Sequence, residues 1–464
     1  MCGFYLLLFL LIVLRSALKC LWLLWRGGAI CVEDLVAVDE VADLLKRMIK
    51  VKSIKSQETR VAEIIIDVLE SEGIYSYELI ESSPGRGNLV ISLRGKRGEG
   101  FNLMIIGHLD VVPPGDGWSV NPFGGVEKNG YIYGGGAIDD KGQIAAMTYL
   151  AVLLHRINYD FKGTVRLLMV ADEETQDPRH GIRYLIRERR DLFKRVDGAI
   201  GELGGLVNIM GEKRQLLIYG EKGAVTLRIR AQGDKGHASQ TYKINNAVKN
   251  IAGITLRIPD DFFFISEPVR MMLKDLLGAK SFLLTNRFLN KIVLRGIRDL
   301  WAARFLHALT HVTIAKTVIH GGEAENVYPG EAELLLDIRF FPEQNDLEEI
   351  MRIIKKSIGK YEYTIEKKNY MPSTYSPRNT VLYKAVEKTI IDLGRKPLPL
   401  IQVGSSDSAW IRSLGIPTYH FMTTSKSIEL GKVHGADERI WKKRSDRNHK
   451  GILAINKELR SLLN

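Results

Sequence analysis

NLMIIGHLD (102–110) and TVRLLMVAD (164–172) are apolar runs of strand length, and IAAMTYLAVLLHR (144–156), between them, is an apolar run of helix length. The alternation continues on both sides. Val38, Val41, Leu44, Leu45 and Met48 recur at helical spacing and predict a helix over 38–49, with another near 58–72. LVISLRG (89–95) and GAIGEL (198–203) read as strands, and a helix is expected near 180–192. Strands alternating with helices predict an α/β fold, a mainly parallel sheet covered by helices on both faces.

The pattern changes after Gly220. GAVTLRIRAQG (223–233), KTVIHGG (316–322), AELLLDIRF (332–340) and EYTIEKK (362–368) read as strands. Helices are expected over 246–258 and 347–359, giving a βαββαβ order, a small open-faced α+β module. A stretch of roughly 259–315, rich in Phe, Leu, Met and Arg, is expected to add helices to it. After Pro372 the α/β pattern returns, with helices at 380–393 and 407–413 and strands at 398–403 and 417–422. The expected organisation is therefore a discontinuous catalytic domain, residues 32–221 and 370–464, interrupted by an inserted domain at 222–369.

With 464 residues, 45% of them hydrophobic, the chain can bury a large core. The net charge of +12 is modest for this length and dispersed, apart from KKRSDR (442–447). A solvated basic surface explains it better than a nucleic-acid footprint, and no nucleic-acid partner is expected. Cys2, Cys20 and Cys31 all precede the first recognisable element, which excludes a disulfide framework for the body and points to a reducing, cytoplasmic location. Residues 3–14, GFYLLLFLLIVL, are apolar and are followed by Arg15, Lys19 and LWLLW (21–25). The run lacks the basic flank of a secretory signal and is shorter than the roughly 18–20 residues of a spanning helix. Two readings of residues 1–31 stay open: a membrane-contacting or anchoring helix, and a start site upstream of the true one near Val32.

The residues with chemistry gather at strand ends. His108, the Glu173–Glu174 pair and Glu202 each follow an apolar strand, at the edge where open α/β sheets bind ligands. Asp139 precedes a helix for which Asp140 is the expected N-cap and Gln143 its capping-box partner, leaving Asp139 free. With His434, in VHGADERI (433–440), His108, Asp139, Glu174 and Glu202 supply two imidazoles and three carboxylates, a nitrogen and oxygen set suited to zinc, cobalt or manganese. Asp110, two residues after His108, can fix the tautomer of a metal-bound imidazole. Taken singly, each has an ordinary reading: a core histidine bonded to an aspartate, a solvated glutamate pair, a strand cap, a loop histidine. Their joint occurrence in this order does not.

Together the segments GHLDVV (107–112), GGGAIDDKG (134–142), ADEET (171–175), GAIGELGG (198–205) and VHGADERI resemble a metallopeptidase and deacylase family. That family includes acetylornithine deacetylase, succinyl-diaminopimelate desuccinylase, aminoacylase and glutamate carboxypeptidase. The resemblance covers roughly residues 35–445. It implies two divalent metal ions, zinc first and cobalt or manganese next, bridged by Asp139. His108 and Glu202 would complete one site, Glu174 and His434 the other. It also implies Glu173 as the general base, with Asp110 orienting His108. His237, in KGHAS, matches a histidine of the inserted lid that reaches the partner's active site in dimeric members; a homodimer through that domain is the implied assembly. Asn326 and Arg339 match residues that bind the substrate, Arg339 its carboxylate. GSSDSA (404–409) resembles the family's G-G-T-D-A loop, with Ser405 and Ser406 in place of Gly and Thr. Departures at Gly135 and at Gln176-Asp177-Pro178 touch no proposed ligand and bear on substrate only. The implied activity is amide hydrolysis of a small carboxylate-bearing substrate by a water activated between the metals, as an N-acyl amino acid deacylase or a carboxypeptidase. A dipeptidase of the same family is the alternative. From other classes, a basic binding protein for nucleic acid or a membrane surface, and a two-metal phosphoesterase, share parts of the composition.

Overall fold

The apolar alternation is realised element by element in the computed structural model, which describes residues 36–209, 212–342, 347–422, 424, 427 and 432–442. The expectations for the apolar N-terminus, and for all of the basic run after Lys442, lie outside the described residues. The first helix, α1 (Val38–Ile49), buries Val41, Leu44, Leu45 and Met48. Glu40 accepts from the Ala37 N–H at 2.6 Å, and Lys46 and Arg47 occupy the last turn, so both ends suit the helix dipole. There follow α2 (Glu58–Ser71), β1 (Tyr77–Glu81), β2 (Gly87–Arg94), β3 (Asn102–His108), α3 (Lys141–Arg156), β4 (Thr164–Val170), α4 (Gly181–Glu188), β5 (Gly198–Gly201) and β6 (Glu212–Glu221). The helix expected to reach 192 ends at Glu188. Arg189 leaves the helical region, and a short 3-10 turn, Arg190–Phe193, brings both Leu192 and Phe193 into the core.

The inserted unit opens with β7 (Gly223–Gln232) and α5 (Ala247–Arg257). Next come β8 (Asp261–Phe263) and four helices: α6 (Glu267–Leu277), α7 (Phe282–Thr285), α8 (Arg287–Gly296) and α9 (Leu300–Ala308). It closes with β9 (His311–Gly321), β10 (Glu331–Phe340), α10 (Leu347–Ile358) and β11 (Tyr363–Met371). Its sheet runs β8-β9-β10-β7-β11, antiparallel throughout. Alternate residues of β7 and β10 are buried, the period expected of a sheet with one covered face. The expected helices of the 259–315 stretch are present, but β9 begins at His311 rather than Lys316, because Val312 and Ile314 already point into the core.

Back in the first sheet, α11 (Val381–Asp392), β12 (Lys396–Gln402), α12 (Ser408–Ser413) and β13 (Thr418–His420) follow the expected order. The sheet runs β1-β2-β4-β3-β5-β13-β6. Its centre, β4-β3-β5-β13, is parallel, and the outer pairs are antiparallel. On one face α3 packs against β3 and α1, and it is buried from Lys141 to Leu154, which is why its sequence is apolar nearly all round. The fold class read from the sequence is thus observed.

The chain divides into two compact units. The larger takes the described residues up to Tyr219, Ser376–Pro399 and those from Trp410 on; the smaller takes Gly220–Tyr375 and Leu400–Ala409. Leu400–Ala409 was expected in the larger domain. It belongs with the smaller because Ser405 donates to the Lys222 carbonyl at 2.6 Å and Ser406 to the Glu221 carboxylate at 2.9 Å. Among the described residues no helix is long and apolar enough to cross a membrane.

Ile105, fully buried at the middle of β3 between its two parallel partners, tests how far the sheet centre carries stability. Ile105→Ala is expected to cost about 2–5 kcal/mol, read as a lower urea midpoint of unfolding for the larger unit.

Candidate metal centre

β3 and β4 pair in the register His108↔Val170, so the two parallel strands leave the sheet at the same edge. β5, on the other side of β3, ends at Gly201, one residue before Glu202. Tertiary pairing therefore brings His108, Glu173, Glu174 and Glu202 to one crevice. The Asp110 carboxylate fastens it: one oxygen accepts the Glu173 N–H and the other the Glu174 N–H, each at 3.0 Å. Gly107 allows the close approach of the next loop, since a Cβ there would lie 2.2 Å from Asp140 Oδ2.

Asp139 stands at the middle. Its Oδ1 is 2.9 Å from His108 Nε2 and its Oδ2 is 3.2 Å from His434 Nε2. His108 Nε2 is also 3.5 Å from Glu202 Oε2, and His434 Nε2 is 3.0 Å from Glu174 Oε1. Two triads result, His108–Asp139–Glu202 and Asp139–Glu174–His434, and within each the donor atoms lie within 4.8 Å of one another. His108 Nδ1 faces the Asp110 carbonyl at 3.1 Å. That oxygen only accepts, so Nδ1 holds a proton and Nε2 is the atom turned to the carboxylates.

The electrostatics describe a group of charges waiting for a cation. Burial pushes the His108 imidazole down, but the Glu202 charge and hydrogen bonds to Asp110 and Asp139 outweigh it and hold it well above its ordinary value. Hydrogen bonds to Asp139 and Glu174 raise His434 to about 10. Burial raises Glu174, against the hydrogen bond from His434 that lowers it. Burial also pushes Asp139 up, but the two imidazoles prevail and lower it. Carboxylates this buried need positive partners. Three carboxylates and two imidazoles at these separations fit a pair of divalent ions sharing Asp139. The His434 side chain is 46% exposed, so the crevice opens to solvent on that side.

Local backbone strain gathers here. Asp172, Leu203 and His434 have φ of +61°, +62° and +59°, a region that non-glycine residues seldom occupy and that often marks functional sites. Asp172 is held there by Arg86 and Thr175 and by the Asp177 N–H at 2.5 Å.

The expected cap at Asp140 is a correction. Asp140 stands at the N-cap position of α3 but makes no side-chain cap. Its Oδ2 accepts the His108 N–H at 3.2 Å, and Gln143 donates to the Ile106 carbonyl at 3.0 Å. Both side chains tie the loop to β3 instead of closing the helix end. Two residues that reading the sequence passes over complete the support. Glu438 is buried and accepts the N–H groups of Gly136, Ile138 and Asp139 at 3.1, 2.7 and 3.1 Å. Burial, against these donors, sets its carboxyl at about 7. Lys141, fully buried, donates to the carbonyls of Met48 and Val51 at 3.0 and 2.9 Å, and burial lowers it to about 7. The only signal for Glu438 was its place four residues after His434.

The other three predicted residues lie in the smaller unit. His237, exposed, pairs in register with Val327, and its Nδ1 is 2.8 Å from Ser239 Oγ. The Asn326 carbonyl accepts the Ala238 N–H at 2.8 Å, so His237 and Asn326 share one two-stranded turn. Arg339, on β10, directs its fork at Asp337 with contacts of 2.7 and 3.1 Å.

A model of peptidase family M20/M25/M40 matches residues 104–454. A succinyl-diaminopimelate desuccinylase of Wolinella succinogenes is 26% identical over 416 residues, covering 86% of this chain and 94% of that protein. An N-fatty-acyl-amino acid synthase/hydrolase of Xenopus tropicalis is 26% identical over 366 residues, covering 75% of this chain and 70% of that protein. The solved M20 family metallo-carboxypeptidase Sso-CP2 of Sulfolobus solfataricus has the same fold, with a TM-score of 0.68 at 20% identity, over 91% of this chain and 99% of that one.

Glu438→Gln removes the charge that gathers the Asp139 loop while preserving size. Partners of this kind are typically worth about 10–100-fold in metal affinity or activity. A fall of that size in zinc affinity is expected, measured by competition with a chromophoric chelator; unchanged affinity would leave Glu438 with a packing role only.

Proposed function

The chain belongs to peptidase family M20/M25/M40 and is a metal-dependent hydrolase, and on that premise we propose that it cleaves the amide bond of a small carboxylate-bearing substrate. An N-acyl amino acid is the first candidate and a C-terminal peptide residue the second. The observation that carries the proposal is Asp139, with one oxygen toward each imidazole and a further carboxylate, Glu202 or Glu174, beside each. In this reading His108, Asp139 and Glu202 hold one ion and Asp139, Glu174 and His434 the other. Zinc suits the donors, as cobalt and manganese also do. Bound there, two divalent ions supply Lewis acidity toward water and toward the scissile carbonyl.

The chain's own residues do the rest. Glu173 is buried at the crevice, and its N–H is pinned by Asp110 beside that of Glu174, so the two carboxylates cannot follow one another. Glu174 faces His434, and Glu173 is assigned the general base, the role that the family resemblance implies for it. It takes the proton of the attacking water and returns it to the leaving nitrogen, work typically worth about 10²–10⁴-fold in rate. Asp110 holds the backbone under both glutamates and orients His108, and so is a positioning residue. Arg339 is assigned the substrate carboxylate, for which it exchanges Asp337, and Asn326 and His237 are assigned to substrate and oxyanion. The names of the desuccinylase and of the fatty-acyl-amino acid hydrolase favour the acyl amino acid over the dipeptide. A homodimer through the inserted unit and a cytoplasmic location complete the proposal, the latter supported by the absence of cysteine after Cys31.

Glu173→Gln is expected to keep fold and bound metal and to lose about 10²–10⁴-fold in turnover; retained activity would overturn the base assignment. With the zinc-loaded protein, N-succinyl and N-acetyl amino acids are expected to be hydrolysed faster than dipeptides, and a chelator to abolish both reactions. Preferential dipeptide cleavage would reverse the substrate assignment.

A further inference from the structure

A second group of metal-binding side chains stands in the smaller unit and shares no residue with the centre above. Asp261 lies on β8, His307 in the last turn of α9, and His311 opens β9. β8 and β9 pair antiparallel with Asp261 opposite Thr313 and Phe263 opposite His311. Residues facing one another, and those two apart on a strand, share a face. Asp261 and His311 therefore point the same way, and the Phe263 ring lies edge-on to His311 at 5.5 Å. His307, four residues before His311, brings its ring over the same face, with centroids 4.0 Å apart and planes 10° from parallel. His307 Nε2 is 3.3 Å from Asp261 Oδ2, and one donor atom from each of the three residues lies within 4.8 Å of the others.

The orientation of His311 is fixed independently of Asp261. Its Nδ1 lies 3.1 Å from the His307 carbonyl and 3.0 Å from Thr310 Oγ1. The carbonyl only accepts, and the Thr310 hydroxyl donates to the Leu306 carbonyl at 2.9 Å. His311 Nδ1 therefore carries the proton, and Nε2 keeps its lone pair. Histidines that bind metal characteristically donate their other ring N–H to a carbonyl in this way. All three residues are half-buried, so a cation could enter and keep water on its open side.

We propose that Asp261, His307 and His311 form a structural site for one divalent ion of the zinc, nickel or cobalt class. Its place explains its use. The helices α6 to α9 all lie between Asp261 and His311, so an ion there ties the neck of the helical insertion. A cross-link of that kind removes closure entropy from the opened insertion. The stacked planes must open for both lone pairs to converge on one ion. His307 is the ring that turns, because Asp261 is the one polar side-chain partner given above for its nitrogens, whereas His311 Nδ1 is fixed by the His307 carbonyl and Thr310.

The test counts zinc per chain in the full-length protein after equilibration with a zinc buffer, in wild type, His311→Ala and His307→Gln. Each variant is expected to hold one zinc fewer than wild type, whatever the wild-type total. Asp139→Ala is expected to lose zinc separately, which distinguishes failure of this site from failure of the catalytic one. Equal counts in wild type and in both histidine variants would overturn the proposal. Should either variant fail to fold by circular dichroism, zinc titration of the wild type followed by the ring resonances of His307 and His311 decides instead. Shifts that saturate at one equivalent beyond the catalytic ions support the site; unmoved resonances refute it.

Discussion

Everything at the candidate metal crevice depends on β3 running parallel to both neighbours. In an antiparallel sheet, successive strand ends alternate between edges, and His108, Glu174 and Glu202 could not meet. With β4 and β5 parallel to β3, each strand delivers its carboxyl end, and the residues just past it, to the same edge. The apolar character of these strands follows from that arrangement, since helices cover both faces. Their contribution is mechanical as well as hydrophobic: a rigid row of strand ends fixes donor atoms to within the few tenths of an ångström that metal coordination requires.

The cost of the arrangement is charge. Asp139, Glu173 and Glu202 are each less than a tenth exposed, and the imidazoles are pulled toward protonation to balance them. The backbone answers with its own dipoles. Asp110 takes two N–H groups, and Glu438 takes three from the loop that carries Asp139. Lys141, in turn, secures the end of α1 to the start of α3. Buried polar groups survive only where each finds partners, and here the partners are the means of positioning. The left-handed backbone at Asp172, Leu203 and His434 belongs to the same pattern, held by the contacts around it rather than by local preference.

Much of this was legible in the residues. Apolar patterning suffices for α1, β3, α3 and β4: α1 buries one face at helical spacing, and the other three are apolar runs buried along most of their length. It was weaker at Arg189, where a 3-10 turn replaces the last helical turn, and at His311–Ala315, where a strand starts before its apolar pattern becomes plain. The ligand set was readable because its residue types are chemically distinctive at strand ends. At Asp140 the sequence points to a cap, because Asp followed by a helix is its usual mark, and only the approach of β3 through Gly107 shows the carboxylate engaged elsewhere. Glu438 is silent in the sequence for the opposite reason: its partners are backbone N–H groups about 300 residues away in the chain, which no side-chain pattern encodes.

The sequence by itself determined the α/β class, the insertion, the family and the kinds of atoms offered to a metal, because periodicity and residue chemistry are local properties. Only the tertiary structure decided that Asp139 turns one oxygen to each imidazole, that Leu400–Ala409 joins the smaller unit, and that Asp261 meets His307 and His311 across the neck of the insertion. Those are distances between residues remote in the chain, and they follow from strand pairing and packing, which are set by the whole fold.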